Sequence, residues 1–144
     1  NMFEEVVQVP MIWNWPGKVP TQSSRPEVVS FYDVLPTICD AVDAPVPGRN
    51  LCGRSFLPIL QNRPLGKKEQ PWRNLVFGHF RNTEMARDNR YKVVVRNDGK
   101  GPNELYDLRA DPREKQNQYD NPQFVTVRDR LTRELIAWRK QYSS

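Results

Sequence analysis

The sequence offers few of the side chains that most catalytic and metal sites need. It has 144 residues with one histidine, His79, and two cysteines, Cys39 and Cys52. A zinc site needs three or four ligands at suitable spacing, which this set does not supply. A Ser-His-Asp triad would have to use His79, yet no Gly-x-Ser-x-Gly motif occurs. Gly99-Lys100-Gly101 does not match a phosphate-binding loop either. The residue types alone therefore indicate no complete catalytic centre.

Charge and hydrophobicity exclude further classes of protein. The net charge is +5, with 38% hydrophobic and 27% charged residues. Residues 1–60 carry a net charge of −2 and residues 61–144 a net charge of +7. In the basic half Lys and Arg alternate with Asp and Glu, so no surface of one sign for nucleic acid is indicated. No apolar run approaches the roughly 20 residues that a membrane-spanning helix needs. The composition is that of a globular domain.

Local patterns in the first half predict one strand and one helix. Residues 11–15 form a predicted strand, which the turn dipeptide Pro16-Gly17 ends. Asp33 is expected to cap the helix, with Pro36 in the first turn, where its missing N–H costs no hydrogen bond. Apolar residues at intervals of three and four predict one buried face of Leu35, Ile38, Cys39 and Val42.

The second half is predicted to be a small antiparallel sheet with a terminal helix. Residues 75–80, 91–95 and 104–108 have strand patterns, and Asn97-Asp98-Gly99 is typical of a hairpin turn. Asn121-Pro122 supplies a cap and a first-turn proline for the helix. The apolar face of this helix is predicted to consist of Phe124, Val127, Leu131, Leu135 and Trp138.

Several motifs occur in an order typical of one enzyme family. They are Phe3-Glu4-Glu5 with Val9-Pro10-Met11-Ile12 and Trp15-Pro16-Gly17-Lys18, Asp33-Val34-Leu35-Pro36-Thr37, Gly53-Arg54-Ser55-Phe56-Leu57-Pro58-Ile59-Leu60, Arg90-Tyr91-Lys92, and Glu104-Leu105-Tyr106-Asp107-Leu108 with Asp111-Pro112 and Glu114. This series resembles the sulfatases of the alkaline phosphatase superfamily and spans nearly the whole chain. The resemblance implies the last strand–helix segment of a large α/β sulfatase domain in residues 1–60. It further implies a linker at 61–71 and a small C-terminal subdomain, an antiparallel sheet packed with a terminal helix, in residues 72–144.

The resemblance implies a hydrolase of sulfate esters or sulfamates that uses formylglycine and a divalent metal, usually calcium. The family's nucleophile signature is Cys/Ser-x-Pro-x-Arg. Its one near match is Ser24-Arg25-Pro26-Glu27-Val28, where Val28 replaces the arginine. The family places its nucleophile and its metal ligands before the position of Phe3-Glu4-Glu5, and its sulfate-binding lysine just before that position. We therefore expect the chain to be the C-terminal part of a sulfatase, inactive alone. Its expected partner is the N-terminal catalytic α/β domain of the same polypeptide, and an opening without methionine close to a hydrophobic strand favours this view.

Two residues are candidates for binding the sulfated substrate, a small molecule or a glycan. The C-terminal subdomain of sulfatases often borders the substrate pocket, so the resemblance assigns this role to His79 and Arg81. The alternative for His79 is a strand-end histidine satisfied by the backbone. Arg54 and Arg90 are expected to pair with carboxylates between the two halves. The resemblance also implies an exported protein in a periplasmic, extracellular or lysosomal location.

Four further residues have more than one interpretation. Glu4 and Glu5 either orient the family's upstream lysine or are surface charges before a strand. Cys39 is expected to be a buried thiol. A disulfide between Cys39 and Cys52 is the alternative if the protein is exported.

Two other functions also stay open. One is a related phosphonate or phosphate-ester hydrolase of the same superfamily, and the other is a non-catalytic interaction or scaffold domain.

Overall fold

The computed structural model describes residues 2–48, 50–65 and 70–142. Contacts divide the chain into two units, one of Pro10–Asn74 and the other of Asn1–Val9 with Leu75–Ser144. The beginning of the chain therefore packs with its second half. The division into residues 1–60, 61–71 and 72–144 stays a prediction, and residues 66–69 of the predicted linker lie outside the described residues.

The described residues form four α-helices, three 3-10 turns and four strands. The helices are α1 (Glu4–Val7), α2 (Val34–Ala41), α3 (Leu57–Leu60) and α4 (Val125–Tyr142). The strands are β1 (Leu75–Phe80), β2 (Thr83–Asp88), β3 (Tyr91–Arg96) and β4 (Glu104–Asp107). None of the helices in this part of the chain has the length and apolar character needed to cross a membrane.

The strands form one antiparallel sheet in the order of the sequence, β1-β2-β3-β4. The three predicted strands and the terminal helix are confirmed. The predicted turn joins β3 to β4, and its three residues Asn97, Asp98 and Gly99 all have positive φ. The meander needs only short connections because antiparallel neighbours can be joined by tight turns.

β2 has no strand signal in the sequence, because its residues Thr-Glu-Met-Ala-Arg-Asp lack a polar–apolar alternation. Its first four residues are nevertheless buried. The charged side chains of Glu84, Arg87 and Asp88 each form an ion pair with a residue from outside the sheet. Tertiary pairing thus makes a polar segment compatible with a central position in the sheet.

One face of the sheet packs against α4. Leu131 and Leu135 of α4 are buried against a cluster formed by Phe77, Ala86, Val93 and Leu105. The Trp138 ring stacks on the Phe77 ring with centroids 5.1 Å apart. Asn121 begins this segment as predicted, since its side chain accepts a hydrogen bond from the Gln123 N–H at 3.0 Å.

The opposite face of the sheet packs against the beginning of the chain. Met2 is buried with Met85 and Val94. A Cβ at position 78 would lie only 3.1 Å from Met85 Cγ, so the glycine there permits this close packing. Because both faces are covered, the central strands are buried despite their polar residues.

In the Pro10–Asn74 unit, a capping box precedes α2. The Asp33 carboxylate accepts the Ser30 N–H at 2.8 Å, and the Ser30 hydroxyl accepts the Tyr32 N–H at 3.1 Å. Asp33 also accepts the Arg54 N–H at 2.9 Å. The predicted helix is confirmed, and Asp33 stands at its N-cap position. The predicted side-chain cap is wrong, because the Asp33 side chain makes no capping hydrogen bond to α2 and instead serves the capping box of the preceding 3-10 turn, which Ser30 begins.

The predicted buried face of α2 is wrong except at Cys39. Leu35, Ile38 and Val42 are exposed, whereas Pro36 and Thr37 are buried with Cys39. The Thr37 hydroxyl accepts the Phe56 N–H at 3.0 Å and donates to the Asp33 carbonyl at 2.7 Å. The hydrogen bonds of Thr37 therefore hold this side of α2 against the rest of the Pro10–Asn74 unit.

The predicted strand at residues 11–15 is also wrong, since this segment is neither strand nor helix. A strand requires a neighbour to pair its backbone groups, and all four strands of the described residues belong to the β1–β4 sheet. Trp13 nevertheless packs locally, edge-on against Phe56 with ring centroids 5.4 Å apart.

Candidate functional site

The two sequence candidates lie at one end of the β1–β2 hairpin. His79 stands opposite Glu84 in the strand register, with His79 Nδ1 3.4 Å from Glu84 Oε1. Its side chain is 52% exposed. The second carboxylate oxygen of Glu84 lies 3.2 Å from a guanidinium nitrogen of Arg139 on α4. The histidine is thus fixed on one side by a buried carboxylate and open to solvent on the other.

Arg81 occupies the turn that follows β1. Its φ is +57°, which places the residue in the left-handed region, and its guanidinium carbon lies 5.3 Å from the centroid of the exposed Phe80 ring. The neighbouring Asn82 amide donates to the Asn97 side chain, which joins this turn to the β3–β4 turn. The hairpin end therefore exposes the Phe80 ring and the Arg81 guanidinium together. His79 precedes Phe80 in β1, so its side chain projects to the opposite face of the sheet and is not brought together with them.

This combination suits an anionic, partly apolar ligand. A guanidinium donates several hydrogen bonds in a planar arrangement that matches oxyanions, and an exposed aromatic ring can contact the apolar face of a sugar. Arg139, which contacts Glu84, also forms an ion pair with Asp98 at 2.7 Å. The hairpin end can bind a ligand, but it brings no nucleophile beside His79 among the described residues.

A cluster of four charged residues lies on the face of the sheet opposite α4, where the beginning of the chain packs. Its members are Glu4, Arg87, Lys92 and Glu114. The Lys92 side chain is 0% exposed; its Nζ lies 3.2 Å from Glu4 Oε1 and forms an ion pair with Glu114. Arg87 contacts both oxygens of the Glu4 carboxylate at 3.1–3.2 Å. Two positive and two negative groups balance, as buried charges require.

The charged cluster also captures backbone groups at the beginning of the chain. Lys92 Nζ donates to the Met2 carbonyl at 2.5 Å, and the Glu4 N–H donates to Glu114 Oε2 at 2.6 Å. Glu114 itself has φ of +53°. The cluster therefore holds the first residues and the loop after β4 against the sheet. Its role is therefore structural, because the Lys92 side chain is fully buried and inaccessible to a ligand.

Sequence reasoning missed the role of this cluster. The surface-charge interpretation of Glu4 is wrong, since Glu4 is buried and paired with Lys92 and Arg87, whereas Glu5 is exposed. Orientation of the family's upstream lysine by these residues stays a prediction. The available signal was that Glu4, Lys92 and Glu114 each lie in a motif of the family resemblance. Their distance along the chain hid the connection.

The arginine predictions are partly corrected. Arg90 pairs within the sheet unit and not between the halves, with its Nε 3.1 Å and a terminal nitrogen 2.7 Å from Asp107. This bidentate contact lowers the pKa of Asp107 below its ordinary value. Arg54 instead donates to the Pro71 carbonyl at 2.7 Å and covers the Trp72 ring.

The Tyr106 phenol in β4 is also perturbed. Burial, aided by the negative charges of Glu104 and Glu114, raises the pKa of Tyr106 to about 12.

The metal site that the resemblance implies for the parent enzyme is not found among the described residues. Among the described residues, no group of three or more His, Cys, Asp or Glu side chains is placed to hold a metal ion. The near match to the nucleophile signature is structural, because the Arg25 side chain donates to the Ile59 carbonyl at 2.9 Å and the Ser24 carbonyl at 3.2 Å. Cys39 is a buried thiol, as expected.

Sequence comparisons match the chain to a family of hydrolases. The family model for N-sulphoglucosamine sulphohydrolase, C-terminal, matches residues 1–141. The Ulvan-active sulfatase of Formosa agariphila is 26% identical over 93% of this chain and 33% of its own length. Arylsulfatase K of Gallus gallus is 30% identical over 100% of this chain and 28% of its own length. The chain thus spans about a third or less of these relatives.

Solved structures agree with the sequence matches. BT4656 in complex with its substrate D-glucosamine-2-N,6-O-disulfate is 27% identical, with a TM-score of 0.62 over 74% of this chain and 23% of that one. The phosphonate monoester hydrolase of Agrobacterium radiobacter is 25% identical, with a TM-score of 0.62 over 79% of this chain and 25% of that one. The chain therefore belongs to the sulfatases of the alkaline phosphatase superfamily, as a member of the N-sulphoglucosamine sulphohydrolase C-terminal family.

Proposed function

We propose that this chain is the C-terminal part of an enzyme that hydrolyses sulfate esters or sulfamates. The observation that carries the proposal is the match of residues 1–141 to a C-terminal sulfatase family model. The relatives that it covers in part, including the Ulvan-active sulfatase, are named as sulfatases. Their additional length leaves room for an N-terminal catalytic domain in the same polypeptide.

The reacting groups are proposed to lie in that N-terminal domain. Formylglycine would supply the nucleophile there, and a divalent metal, for which calcium is our proposal, would neutralise the sulfate oxygens. No step is assigned to this chain's own residues, because its described residues hold neither the ligands nor the nucleophile signature. The 144-residue chain alone is therefore expected to be inactive.

A paired assay tests this division of labour. The complete polypeptide and the 144-residue chain are assayed with a chromogenic sulfate ester, with and without added calcium. We expect turnover by the complete polypeptide and none by the chain alone. Metal-dependent turnover by the 144-residue chain would contradict the proposal, as would an inactive complete polypeptide with intact formylglycine.

The proposed substrate class is a sulfated sugar. The family model is named for N-sulphoglucosamine, and the similar enzyme BT4656 was solved with a disulfated glucosamine. The exposed side chains of Phe80 and Arg81 are suited to a sugar ring and an anionic group. Release of sulfate from N-sulfated and O-sulfated glucosamine, compared with an aryl sulfate, tests this class. A preference for the aryl ester would reject it.

His79 and Arg81 are proposed to contact the substrate. His79→Ala and Arg81→Ala in the complete polypeptide should each raise KM roughly tenfold with little change in kcat, since each removes a polar contact made alike in the bound and transition states. Arg113→Ala, at another exposed arginine, serves as the control. Thermal unfolding is measured in parallel. An unchanged KM, or a lower thermal midpoint without a KM effect, would exclude a residue from the site.

A second candidate is a phosphonate-monoester hydrolase. The structural match to the Agrobacterium radiobacter enzyme favours it, with 25% identity and a TM-score of 0.62. Assaying the complete polypeptide on an aryl phosphonate monoester beside the matched sulfate ester separates the two functions. A larger kcat/KM for the phosphonate would favour this candidate, and no turnover of either would favour a non-catalytic domain.

A further inference from the structure

Glu84 of β2 is a buried carboxylate beside a candidate substrate-binding residue. It stands directly opposite His79 in the antiparallel register, so the two side chains share one face of the sheet. The Glu84 side chain is 9% exposed and that of His79 is 52% exposed. An apolar residue at position 84 would fill the same space without the cost of burying a charge. The carboxylate therefore has a role other than packing.

Both oxygens of the Glu84 carboxylate are engaged. Oε1 lies 3.4 Å from His79 Nδ1, and Oε2 lies 3.2 Å from a guanidinium nitrogen of Arg139 on α4. Arg139 in turn contacts Asp98 of the β3–β4 turn at 2.7 Å. A strand, a helix and a turn thus contribute to one network of charges, and this network holds the carboxylate in a fixed position beside the imidazole.

The contact with Glu84 determines which ring nitrogen of His79 carries the proton. An ionised carboxylate only accepts hydrogen bonds, so Nδ1 must be the donor in this pair. In a neutral imidazole the second nitrogen, Nε2, then carries no proton and accepts hydrogen bonds. Because Nδ1 is engaged with Glu84, Nε2 is the ring nitrogen left for a ligand.

We infer, on the basis of the function proposed above, that Glu84 is a positioning residue that fixes the proton of His79 on Nδ1 and makes Nε2 an acceptor for a hydroxyl of the sulfated sugar. The guanidinium of Arg81 is a donor suited to sulfate oxygens, whereas His79 accepts from the sugar itself. A site that hydrogen-bonds a hydroxyl discriminates strongly against a ligand that lacks one. Glu84 thus contributes to selectivity for the sugar.

NMR of the complete polypeptide tests the position of the proton. Long-range ¹⁵N–¹H spectra of the histidine side chains are recorded at about pH 8, where an ordinary imidazole is neutral. The signals of His79 are identified by their loss in His79→Gln. We expect the proton on Nδ1 in the wild type. A wild-type His79 with its proton on Nε2 would overturn the inference, and this measurement requires no substitution of Glu84.

Kinetics of the complete polypeptide test the effect on the substrate. Glu84→Gln keeps the volume of the side chain, but its amide can donate to Nδ1 and so favours the proton on Nε2. We expect KM for N-sulfated glucosamine to rise about fivefold with little change in kcat. KM for a chromogenic aryl sulfate should stay unchanged, because the aryl ester has no hydroxyl. Equal increases for the two substrates would overturn the inference.

Glu104→Gln is the matched control. Glu104 is another carboxylate of the sheet, its side chain is 18% exposed, and it pairs with Arg96 at 2.6 Å. This substitution should leave KM for both substrates unchanged. An increase for the sugar equal to that in Glu84→Gln would show that loss of any ion pair in the sheet has this effect, and would overturn the inference.

A double substitution tests whether Glu84 acts through His79. In a His79→Ala background, Glu84→Gln should cause no further rise in KM, because residues that act as one unit are not additive. A further fivefold rise would overturn the inference. Thermal midpoints are measured in parallel, and Arg139 keeps Asp98 as a partner when Glu84 is replaced.

The outcomes separate this inference from the proposed function. Turnover of N-sulfated glucosamine by a wild-type enzyme whose His79 has its proton on Nε2 would reject only the inference. A proton on Nδ1 in a complete polypeptide that hydrolyses no sulfate ester would reject the proposed function and the sugar contact with it, while the pairing of Glu84 with His79 would stand.

Discussion

At the scale of single residues, a buried lysine determines how the beginning of the chain is held. Lys92 has no exposed surface and reaches Glu4, Glu114 and the Met2 carbonyl. Taking a charge out of water is unfavourable unless opposite charges and hydrogen bonds replace the solvent. The charged cluster meets this condition with two acids and two bases, so removing one member should leave a buried charge uncompensated.

Lys92→Met is therefore expected to lower the free energy of unfolding by about 3–5 kcal/mol. Urea denaturation followed by circular dichroism measures the change. Lys100→Met, at an exposed lysine of the β3–β4 turn, should change it by less than about 0.5 kcal/mol. Adding Glu114→Gln to Lys92→Met should recover part of the loss, because the uncompensated carboxylate is removed. A wild-type-like stability of Lys92→Met would contradict the role given to the charged cluster.

The Arg90–Asp107 pair is expected to make the free energy of unfolding depend on pH in the acidic range. The hydrogen bonds from Arg90 lower the pKa of Asp107, so the folded state favours the ionised carboxylate. This stabilisation is present above about pH 4, the ordinary range of an aspartate, and is lost as pH falls through the lower folded pKa. The stability difference between wild type and Asp107→Asn should thus shrink from pH 7 to pH 2.

Urea midpoints at a series of pH values measure this difference. Asp120→Asn, at an exposed aspartate, is the control and should follow the wild-type profile. A difference between wild type and Asp107→Asn that is constant down to pH 2 would show that the pair contributes no pH-dependent stability.

At the scale of elements, two helices with similar apolar patterns have opposite environments. Leu131 and Leu135 of α4 are buried against the sheet, whereas Leu35 and Ile38 of α2 are exposed. Periodicity identified both helices but fixed the buried side only for α4. The sheet that covers the apolar side of α4 is present in the described residues, whereas no element among them covers Leu35 and Ile38 of α2.

Leu135→Ala is expected to lower the free energy of unfolding of the sheet unit by about 2–5 kcal/mol, since it removes buried contacts and leaves a cavity. Ile136→Ala, at the next residue of the same helix, should cost less than about 1 kcal/mol because that side chain is half exposed. Thermal or urea unfolding compares them. Similar losses for both would mean that α4 does not pack through the face that the structure shows.

At the scale of the whole molecule, the chain leaves apolar surface uncovered. Leu35, Ile38 and Val42 of the α2 segment and the more distant Ile12 are all exposed in the Pro10–Asn74 unit. Exposed apolar surface of this extent favours association and lowers the stability of a monomer. The 144-residue chain alone is therefore expected to be marginally stable or oligomeric.

Light scattering coupled to size-exclusion chromatography, with thermal unfolding, measures both properties. Ile38→Asp should shift an oligomeric chain toward monomer, whereas Ile136→Asp should not. A monomeric wild-type chain with one cooperative transition at high temperature would contradict this prediction.

The sequence by itself determined the strands β1, β3 and β4, the helix α4 with its buried face, and the family. These follow from short-range periodicity, turn residues and motifs, which are read locally. Only the tertiary structure decided that β2 is a strand, that residues 11–15 are not, and that Glu4 joins Lys92 at a separation of 88 residues. Burial of a charge and pairing of a strand depend on distant neighbours, and a local pattern does not specify those neighbours.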